Sequence, residues 1–409
     1  MNRVFAILVL ALAPFAAAAP PPTLPKIDPE DYKDKKKAEA LAMDLEEQYP
    51  AKKRPEAIKM LAAILRGSMM GPGEGWFGPA ANRYSYKWLA ARCGADEKKG
   101  IDRKAFVGDD LAFARLDRNG DGTIQASDLD WSDNNPFVQQ YYMVNRIFRR
   151  MNPRGDGHLT KQDLEKFFEK AAKGKDHVTT DDLRDAWLGG MSGGFAPGDA
   201  PSTVTLLKGL YSGEVGSIHE GPALGDTAPD FTLSSPDGKK TVQLTNLIGK
   251  KPVVLVLGNF TCGPFRGMYV DVENVVERYR DKAEFLMVYV REAHPTDGWA
   301  MSANTSVGVA VAQPKTIDER RKVCTQFTTK LKPTIPVVVD GLDDKVGNAY
   351  SGMPARLYVI DPSGKVAYKS GRGPFGFRAG EMEQALAMCF LESIPAKKAE
   401  PKPAPKKDS

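Results

Sequence analysis

Cys262 is the residue of this 409-residue chain best placed for chemistry, in the segment 259–265 with the sequence Asn-Phe-Thr-Cys-Gly-Pro-Phe. An apolar run over 253–258 precedes it, and a helical pattern follows it. A thiol at a helix start faces unsatisfied N–H groups and the positive end of the helix dipole. This position lowers a cysteine pKa from about 8.5 into the range of about 3.5–7.5. The pattern predicts a nucleophilic thiolate; a buried structural cysteine is the alternative.

The other cysteines limit the redox chemistry open to Cys262. They lie far apart, at Cys93, Cys324 and Cys389. The segment resembles the Cys-Gly-Pro-Cys motif of thioredoxin, but Phe265 replaces the second cysteine and excludes dithiol exchange within the motif. A disulfide must therefore use another cysteine or an external thiol. Cys324 has core spacing on a predicted helix, so we expect burial, with a resolving-thiol role as the alternative.

Strands and helices alternate after residue 229 and would position Cys262. Strands are predicted over 253–258, 284–290 and 335–340, a hairpin over 357–360 and 366–368, and helices over 317–331 and 381–391. This order is typical of an α/β thioredoxin-like domain, here residues 222–392. Pro354 precedes the hairpin, where thioredoxin-like folds carry a cis-proline against the active cysteine; a surface turn is the alternative.

Residues 222–391 resemble the iodothyronine deiodinases. Three segments carry the resemblance: residues 261–265, where the family has selenocysteine followed by Pro-Pro-Phe, residues 285–299, and residues 356–360 with 371–374. The resemblance implies a thioredoxin-fold oxidoreductase that acts on a small-molecule or thiol/disulfide substrate. It also implies a reducing partner, an external thiol.

The resemblance further implies roles for single residues. Cys262 takes the selenocysteine position as nucleophile, and Glu292 and His294 take those of an active-site glutamate and histidine. The supporting residues are Thr261, Tyr289, Pro354 and Arg372, of which Tyr289 and Arg372 match positions near the family's substrate pocket. A histidine with an ordinary pKa near ~6.5 could donate a proton or hold the thiolate. A solvent-facing histidine is the alternative.

Several positions depart from the family pattern. Cysteine stands in place of selenocysteine, Phe260 and Ala355 replace a cysteine and a glutamate, and residues 313–315 lack the family's histidine. We therefore predict a retained redox centre whose substrate is an iodinated aromatic, a peroxide or a disulfide. A peroxiredoxin is a close alternative, weakened because Asn259 stands where that family has threonine.

A second motif, residues 117–128, fits the EF-hand calcium loop. The predicted ligands are side-chain oxygens and one backbone carbonyl, from Asp117, Asn119, Asp121, Thr123 (carbonyl) and Asp128. Gly122 permits the sharp turn, and Ile124 would pair with a partner loop. Because aspartate replaces the usual glutamate at the twelfth position, we expect modest affinity. An Asx-rich turn without metal is the alternative.

Weaker copies of this loop occur at 94–105, 152–163 and 171–182. In the second of these, Arg154 puts a cation where the third ligand should lie. Since EF-hands pair through their apolar faces, we interpret these copies as packing partners, with metal binding at 152–163 as the alternative.

Composition and chain organisation complete the prediction of a multi-domain protein, with an all-α EF-hand region followed by the α/β domain. The predicted segments are a signal peptide (1–19), a helical segment (20–93), an EF-hand-like domain (94–188), a linker (189–221) and a disordered tail (393–409). A net charge of +5 without an aromatic-studded basic stripe argues against nucleic-acid binding. No apolar run reaches the ~20 residues of a membrane span, so we expect an exported, periplasmic or secreted protein.

Two functional hypotheses follow from these patterns. The first is an exported thiol oxidoreductase in which Cys262 attacks a halogenated, peroxidic or disulfide substrate, together with a calcium-binding domain. The second is a calcium-binding scaffold whose redox fold is catalytically inactive. The ionisation of the Cys262 thiol and the effect of its replacement separate the two hypotheses.

Overall fold

A computed structural model describes residues 21–397 except 153, 155 and 189–198. The α-helices are α1 (Lys35–Gln48), α2 (Glu56–Leu65), α3 (Tyr86–Cys93), α4 (Asp110–Leu116), α5 (Pro136–Met151), α6 (Lys161–Ala172), α7 (Thr180–Leu188), α8 (Thr203–Ser212), α9 (Gly263–Tyr279), α10 (Ser302–Ser306), α11 (Ile317–Leu331), α12 (Lys345–Ala349) and α13 (Ala379–Leu391). The strands are β1 (Ala81–Asn82), β2 (Ile101–Asp102), β3 (Thr123–Ile124), β4 (Thr232–Ser234), β5 (Thr241–Gln243), β6 (Val253–Gly258), β7 (Glu284–Tyr289), β8 (Val337–Val339), β9 (Arg356–Ile360) and β10 (Val366–Lys369). The predicted signal peptide lies outside the described residues.

One eight-stranded sheet, in the order β1-β10-β9-β6-β7-β8-β4-β5, organises the second half of the chain. Strands β6, β7 and β8 are parallel, whereas β9 runs antiparallel to β6 and forms a hairpin with β10. Alternate residues of β6 enter two separate cores, Val254 and Val256 on one face and Leu255 and Leu257 on the other. Successive side chains of a strand point to opposite faces of the sheet. Since both faces are covered here, every position of β6 is apolar or glycine.

Helix α9 connects β6 to β7, and α11 precedes β8, as in a thioredoxin-like domain. Phe265 of α9 packs against Phe327 of α11 and Phe377 just before α13, with ring centroids 6.1 and 5.4 Å apart. The parallel strands with their crossover helix, the hairpin and the closing helix α13 confirm the predicted thioredoxin-like architecture.

The helical segment before the sheet differs from the prediction in two ways. Helices α1, α2 and α8 enclose a separate apolar core around Trp76 and Phe77. The predicted helical segment 20–93 also contains β1, which pairs with β10 and extends the sheet at its edge. The predicted linker 189–221 contains α8, whose apolar face is buried. Its Gly and Ser content suggested a linker, but tertiary packing of the leucines decides the outcome.

The region predicted as EF-hand-like shares its core with the thioredoxin-like domain. Helix α4 packs on α13, and Phe113 of α4 joins Leu386 of α13 in one apolar cluster. The predicted disordered tail also begins too early, because Lys397 contacts this region: its N–H donates to Arg92 O at 2.9 Å and its Nζ to Ala105 O at 2.7 Å. Residues 398–409 lie outside the described part.

In the described part of the chain, no helix is both long and apolar enough to cross a membrane.

Candidate active site

Cys262 lies at the turn between β6 and α9, as predicted. It occupies the N-cap position of α9 and is 2% exposed. Its N–H donates to Asn259 Oδ1 at 2.9 Å, and the same amide donates from Nδ2 to Pro354 O at 3.0 Å. The Met353–Pro354 peptide bond is cis. Asn259 therefore joins the cysteine backbone to the predicted cis-proline.

Thr261 connects Cys262 to the loop that carries the other predicted residues. Its N–H and its hydroxyl donate to Glu292 Oε2 at 2.8 and 2.7 Å. Its hydroxyl oxygen accepts the N–H groups of Ala293 and His294 at 3.0 and 2.9 Å. One hydroxyl next to the nucleophile candidate thus fixes both ends of the 292–294 turn.

Glu292 is fully buried and holds three donors, two from Thr261 and the phenol of Tyr289. Tyr289 in turn accepts the Phe260 N–H at 3.2 Å. Burial raises the pKa of the Glu292 carboxyl, although the bonds from Tyr289 and Thr261 oppose this effect. Burial, together with Glu292, also raises the pKa of Tyr289 well above its usual value, so the phenol stays a donor. Glu292 therefore organises the loops around Cys262.

His294 is partly buried and fixed by its neighbours. Its Nδ1 lies 3.1 Å from Trp299 O, and the two rings meet edge to face with centroids 4.6 Å apart. Because a carbonyl only accepts, Nδ1 carries the proton and Nε2 keeps a lone pair. Burial lowers the pKa of His294 to about 4. At neutral pH the ring is thus neutral, and the two predicted roles of His294, donating a proton and holding the thiolate, stay predictions.

A pH dependence of stability follows from His294. Its pKa in the folded protein, about 4, lies below the ordinary value of 6.5, so the unfolded chain binds the extra proton between these values. The stability linked to this group is complete above pH 6.5 and falls as the pH drops toward 4. We expect His294→Gln to lose less unfolding free energy between pH 7 and pH 5 than the wild type in urea titrations. Equal losses would contradict the assignment.

Arg372 has contacts other than those expected. In the described part of the chain, the hydrogen-bond partners of its guanidinium lie in other segments: Nε pairs with Glu56 at 2.8 Å, and Nη1 and Nη2 donate to Ser217 O and His219 O at 2.6 and 2.7 Å. Arg372 thereby joins the helical segment to the domain. Burial lowers its pKa to about 10.

Cys324 is fully buried on α11, which matches the first interpretation of its spacing. Burial, with the nearby Glu292, strongly raises its pKa, which opposes the thiolate that a resolving thiol needs. All four cysteines lie in the described part of the chain, and none forms a disulfide. A resolving role for Cys324 stays a prediction without support from this geometry.

Sequence reasoning missed three polar residues around the site. Gln313 holds the Glu292 backbone from both sides, its Oε1 accepting the N–H at 3.1 Å and its Nε2 donating to the carbonyl at 3.0 Å. Asn304 Nδ2 donates to Thr261 O at 2.8 Å, and Arg266 Nη2 donates to Asn304 Oδ1 at 2.8 Å. Arg266 lies one helical turn after the cysteine, and this spacing on α9 is the signal that could have revealed it.

In the calcium-loop candidate, residues 117–128, aspartate carboxylates accept hydrogen bonds from backbone N–H groups of the same loop. Asp117 accepts the N–H groups of Gly120 and Gly122 at 3.0 and 2.9 Å, and Asp128 accepts that of Gln125 at 2.8 Å. Gly122 has a φ of 88°, which favours glycine. Ile124 pairs with a partner strand, β2, as expected for coupled EF-hand loops.

The donor set of this loop suits calcium only if neutral oxygens take part. Among the described residues no three His, Cys, Asp or Glu side chains form a metal cluster. Calcium would therefore need the amide of Asn119 and the carbonyl of Thr123 besides the carboxylates, and it accepts such mixed oxygen sets. Asp117 and Asp128 are buried, and in the described part of the chain neither forms a salt bridge, although the charge of Arg118 acts on Asp128. Such carboxylates favour a cation.

Two degenerate loops carry an internal cation instead. Arg154 Nη1 pairs with Asp163 at 2.6 Å, Nε with Asp156 at 2.7 Å, and Nη2 donates to His158 O at 3.0 Å. These three partners are the twelfth, fifth and seventh loop positions, so the guanidinium occupies the place of an ion. Lys175 likewise pairs with the twelfth residue of its loop, Asp182. The geometry argues against metal binding at 152–163.

The chain is similar to a known protein family and to several known proteins. The family model of iodothyronine deiodinase matches residues 200–390. The chain is 30% identical over 185 residues to thyroxine 5-deiodinase of Gallus gallus, covering 45% of this chain and 70% of that protein. The Sparus aurata thyroxine 5-deiodinase is also 30% identical over 185 residues, covering 45% and 67%.

Among solved structures, a putative thiol:disulfide interchange protein DsbE from Chlorobium tepidum is 21% identical, with a TM-score of 0.29, covering 42% of this chain and 96% of that one. A putative protein disulfide isomerase from Bacteroides thetaiotaomicron is 20% identical, with a TM-score of 0.30, covering 43% and 92%. The family match and the two curated relatives show that this chain belongs to the iodothyronine deiodinase family, as a deiodinase-like thioredoxin-fold oxidoreductase.

Proposed function

We propose that Cys262 is the nucleophile of a thiol-dependent reductive dehalogenation, with an iodinated aromatic compound as the substrate class. The observation that carries the proposal is the hydrogen-bonded set of Thr261, Glu292 and His294, in which Thr261 directly precedes Cys262 at the start of α9. A helix N-terminus favours the thiolate, and a neutral imidazole nitrogen can accept the thiol proton.

The reaction balances with two thiols as reductant. His294 Nε2 accepts the Cys262 proton, and the thiolate sulfur attacks iodine. The carbon–iodine bond breaks, a sulfur–iodine bond forms, and the imidazolium returns its proton to the aryl carbon. A first external thiol displaces iodide and forms a mixed disulfide with Cys262. A second thiol releases the cysteine, so that ArI and two thiols give ArH, iodide, a proton and one disulfide.

Access to the thiol is part of this proposal. Because Cys262 is only 2% exposed, covering side chains must move before an aromatic ring reaches the sulfur.

A substrate panel tests the proposal. Iodinated phenols, hydroperoxides and disulfides are each offered with dithiothreitol, and iodide release or substrate loss is measured. We expect turnover of the iodinated phenols at a rate above that of the thiol alone. If only hydroperoxides or disulfides were turned over, the reaction would be another thiol-dependent reduction and not dehalogenation. No turnover of any substrate would favour the scaffold hypothesis.

We also propose that residues 117–128 bind calcium and that the protein is exported. An extracellular module works at calcium dissociation constants of about 10⁻⁴–10⁻³ M, which suits the short Asp128 carboxylate. The apolar and alanine-rich start of the sequence supports export.

Calcium binding predicts a specific thermal shift. At 10 mM calcium such a site would stabilise the protein by about 1.4–2.7 kcal/mol, a rise in Tm of a few degrees. We expect Asp128→Ala to abolish this rise in differential scanning calorimetry.

The matched control for this experiment is Asp163→Ala, at the same position of the loop that Arg154 occupies. It should lower the Tm but leave the calcium-dependent rise intact. A rise that survives Asp128→Ala, or that is lost in Asp163→Ala, would refute the assigned loop.

A further inference from the structure

The Arg266 guanidinium is folded back over the start of α9. Its Nη1 donates to Phe260 O, and its Nη2 donates to Asn304 Oδ1 at 2.8 Å. A Cβ built on Gly263 would lie 3.6 Å from Arg266 Nη2. Through Asn304, which donates to Thr261 O at 2.8 Å, the guanidinium is connected to the residue before Cys262 as well. The cation therefore lies beside the residues that flank the cysteine.

Arg266 is buried without a carboxylate. In the described part of the chain its hydrogen-bond partners are neutral oxygens, and its Nε is buried without any partner. Two other buried arginines do have a carboxylate, since Arg320 pairs with Asp344 and Arg378 with Asp133, each at 2.8 Å. Arg356, by contrast, is buried and donates to backbone carbonyl oxygens. Burying an uncompensated cation is costly, so an anionic partner is expected nearby.

The electrostatics of Arg266 indicate which group is that partner. Burial lowers the pKa of Arg266, and among the groups that oppose this effect Cys262 is the strongest, ahead of Glu292 and Tyr289. An anion at the cysteine sulfur would offset the cost of burying the guanidinium. By reciprocity, the guanidinium would favour the thiolate over the thiol.

We propose that Arg266 is the counter-charge of the Cys262 thiolate, a positioning residue that stabilises the ionised form of the sulfur. This inference rests on the proposed function, since it concerns the same sulfur. It supplements the effect of the helix N-terminus, which also favours an anion at this position. The chain thereby compensates for having a cysteine at the family's selenocysteine position.

The other titratable groups around the pair do not supply this charge. His294 is neutral at pH 7, and burial keeps the Tyr289 phenol and the Cys324 thiol protonated. A Glu292 carboxylate would oppose the thiolate. Burial and the charge of Arg266 lower the pKa of Lys330 on α11, and its Nζ donates to Val307 O.

The test is the ionisation of Cys262 without substrate. Thiolate absorbance at 240 nm is titrated in the full-length protein, and the Cys262→Ser trace is subtracted. We expect Arg266→Met to raise the midpoint by about one to two pH units, a 10- to 100-fold smaller thiolate fraction at low pH. Arg266→Gln keeps amide donors without the charge and should give the same shift, so it serves if the Met variant does not fold. Arg266→Lys should restore most of the thiolate.

The control is Arg378→Met, which removes a buried arginine beside α13 and should leave the midpoint unchanged. A titration midpoint of folded Arg266→Gln within about 0.3 pH units of the wild type would overturn the inference. This difference corresponds to about 0.4 kcal/mol. The two failures are distinguishable. Inactivity of the wild type toward every substrate would refute the proposed function alone, and an unchanged midpoint would refute only the role of Arg266.

Discussion

Cys262→Ser should lose thiol-dependent turnover by more than about a thousandfold, because a hydroxyl at this position stays protonated and cannot exchange with thiols. Serine differs from cysteine by one atom, so the Asn259 bond to the backbone N–H should persist. The measurement is iodide release from an iodinated phenol with dithiothreitol, under conditions where the wild type turns over.

Cys389→Ser is the matched control, because Cys389 is also buried but lies on α13, in the core beside Tyr84. Its activity should stay within about threefold of the wild type at temperatures where it is folded. Unimpaired turnover by Cys262→Ser, or an equal loss in both variants, would contradict the nucleophile assignment.

Glu292→Ala should have the largest effect on stability. It leaves the Thr261 N–H and the Tyr289 hydroxyl without their acceptor in a fully buried site, and the Thr261 hydroxyl with only Asn259 Oδ1 at 3.3 Å. Each unsatisfied donor costs about 1–3 kcal/mol, partly offset because burial of the carboxylate is itself unfavourable. We expect a loss of about 2–4 kcal/mol of unfolding free energy in urea titrations, together with loss of turnover because the 292–294 turn loses its anchor.

Glu292→Gln separates the carboxylate's charge from its hydrogen bonds. Its amide oxygen can accept both Thr261 donors, and its NH2 group can donate to the Tyr289 oxygen. The unfolding free energy should stay within about 1 kcal/mol of the wild type. Restored stability without turnover would show that the negative charge itself takes part in the reaction. A Glu292→Ala protein as stable as the wild type would contradict the proposed anchoring role.

The parts of the fold predicted from sequence were those with strong local patterns. The apolar run of β6, the Gly-Pro start of α9 and the periodicity of α11 each specify their element with little help from the rest of the chain. Pro354 could be placed because the hairpin after it fixes its position in the fold. These features brought Cys262, Thr261, Glu292 and His294 into one site.

The rest depends on contacts between distant segments, which a local pattern does not contain. Arg372 bonds to Glu56, 316 residues earlier in the sequence, so its place in the helical interface was not visible. Helix α8 was hidden in a Gly-rich stretch, and β1 is only two residues long. Arg266 looked like an ordinary helix arginine, because only the folded chain shows that its guanidinium is buried beside the cysteine.

The most direct test of the central claim is trapping of the Cys262 mixed disulfide. The wild type is incubated with an iodinated phenol and a limiting monothiol, 2-mercaptoethanol, and is then acid-quenched and alkylated. Peptide mass spectrometry should find the mercaptoethanol adduct on Cys262 only when the iodinated phenol is present. Iodide release with the adduct absent from Cys262, or an adduct on Cys324 in its place, would contradict the account.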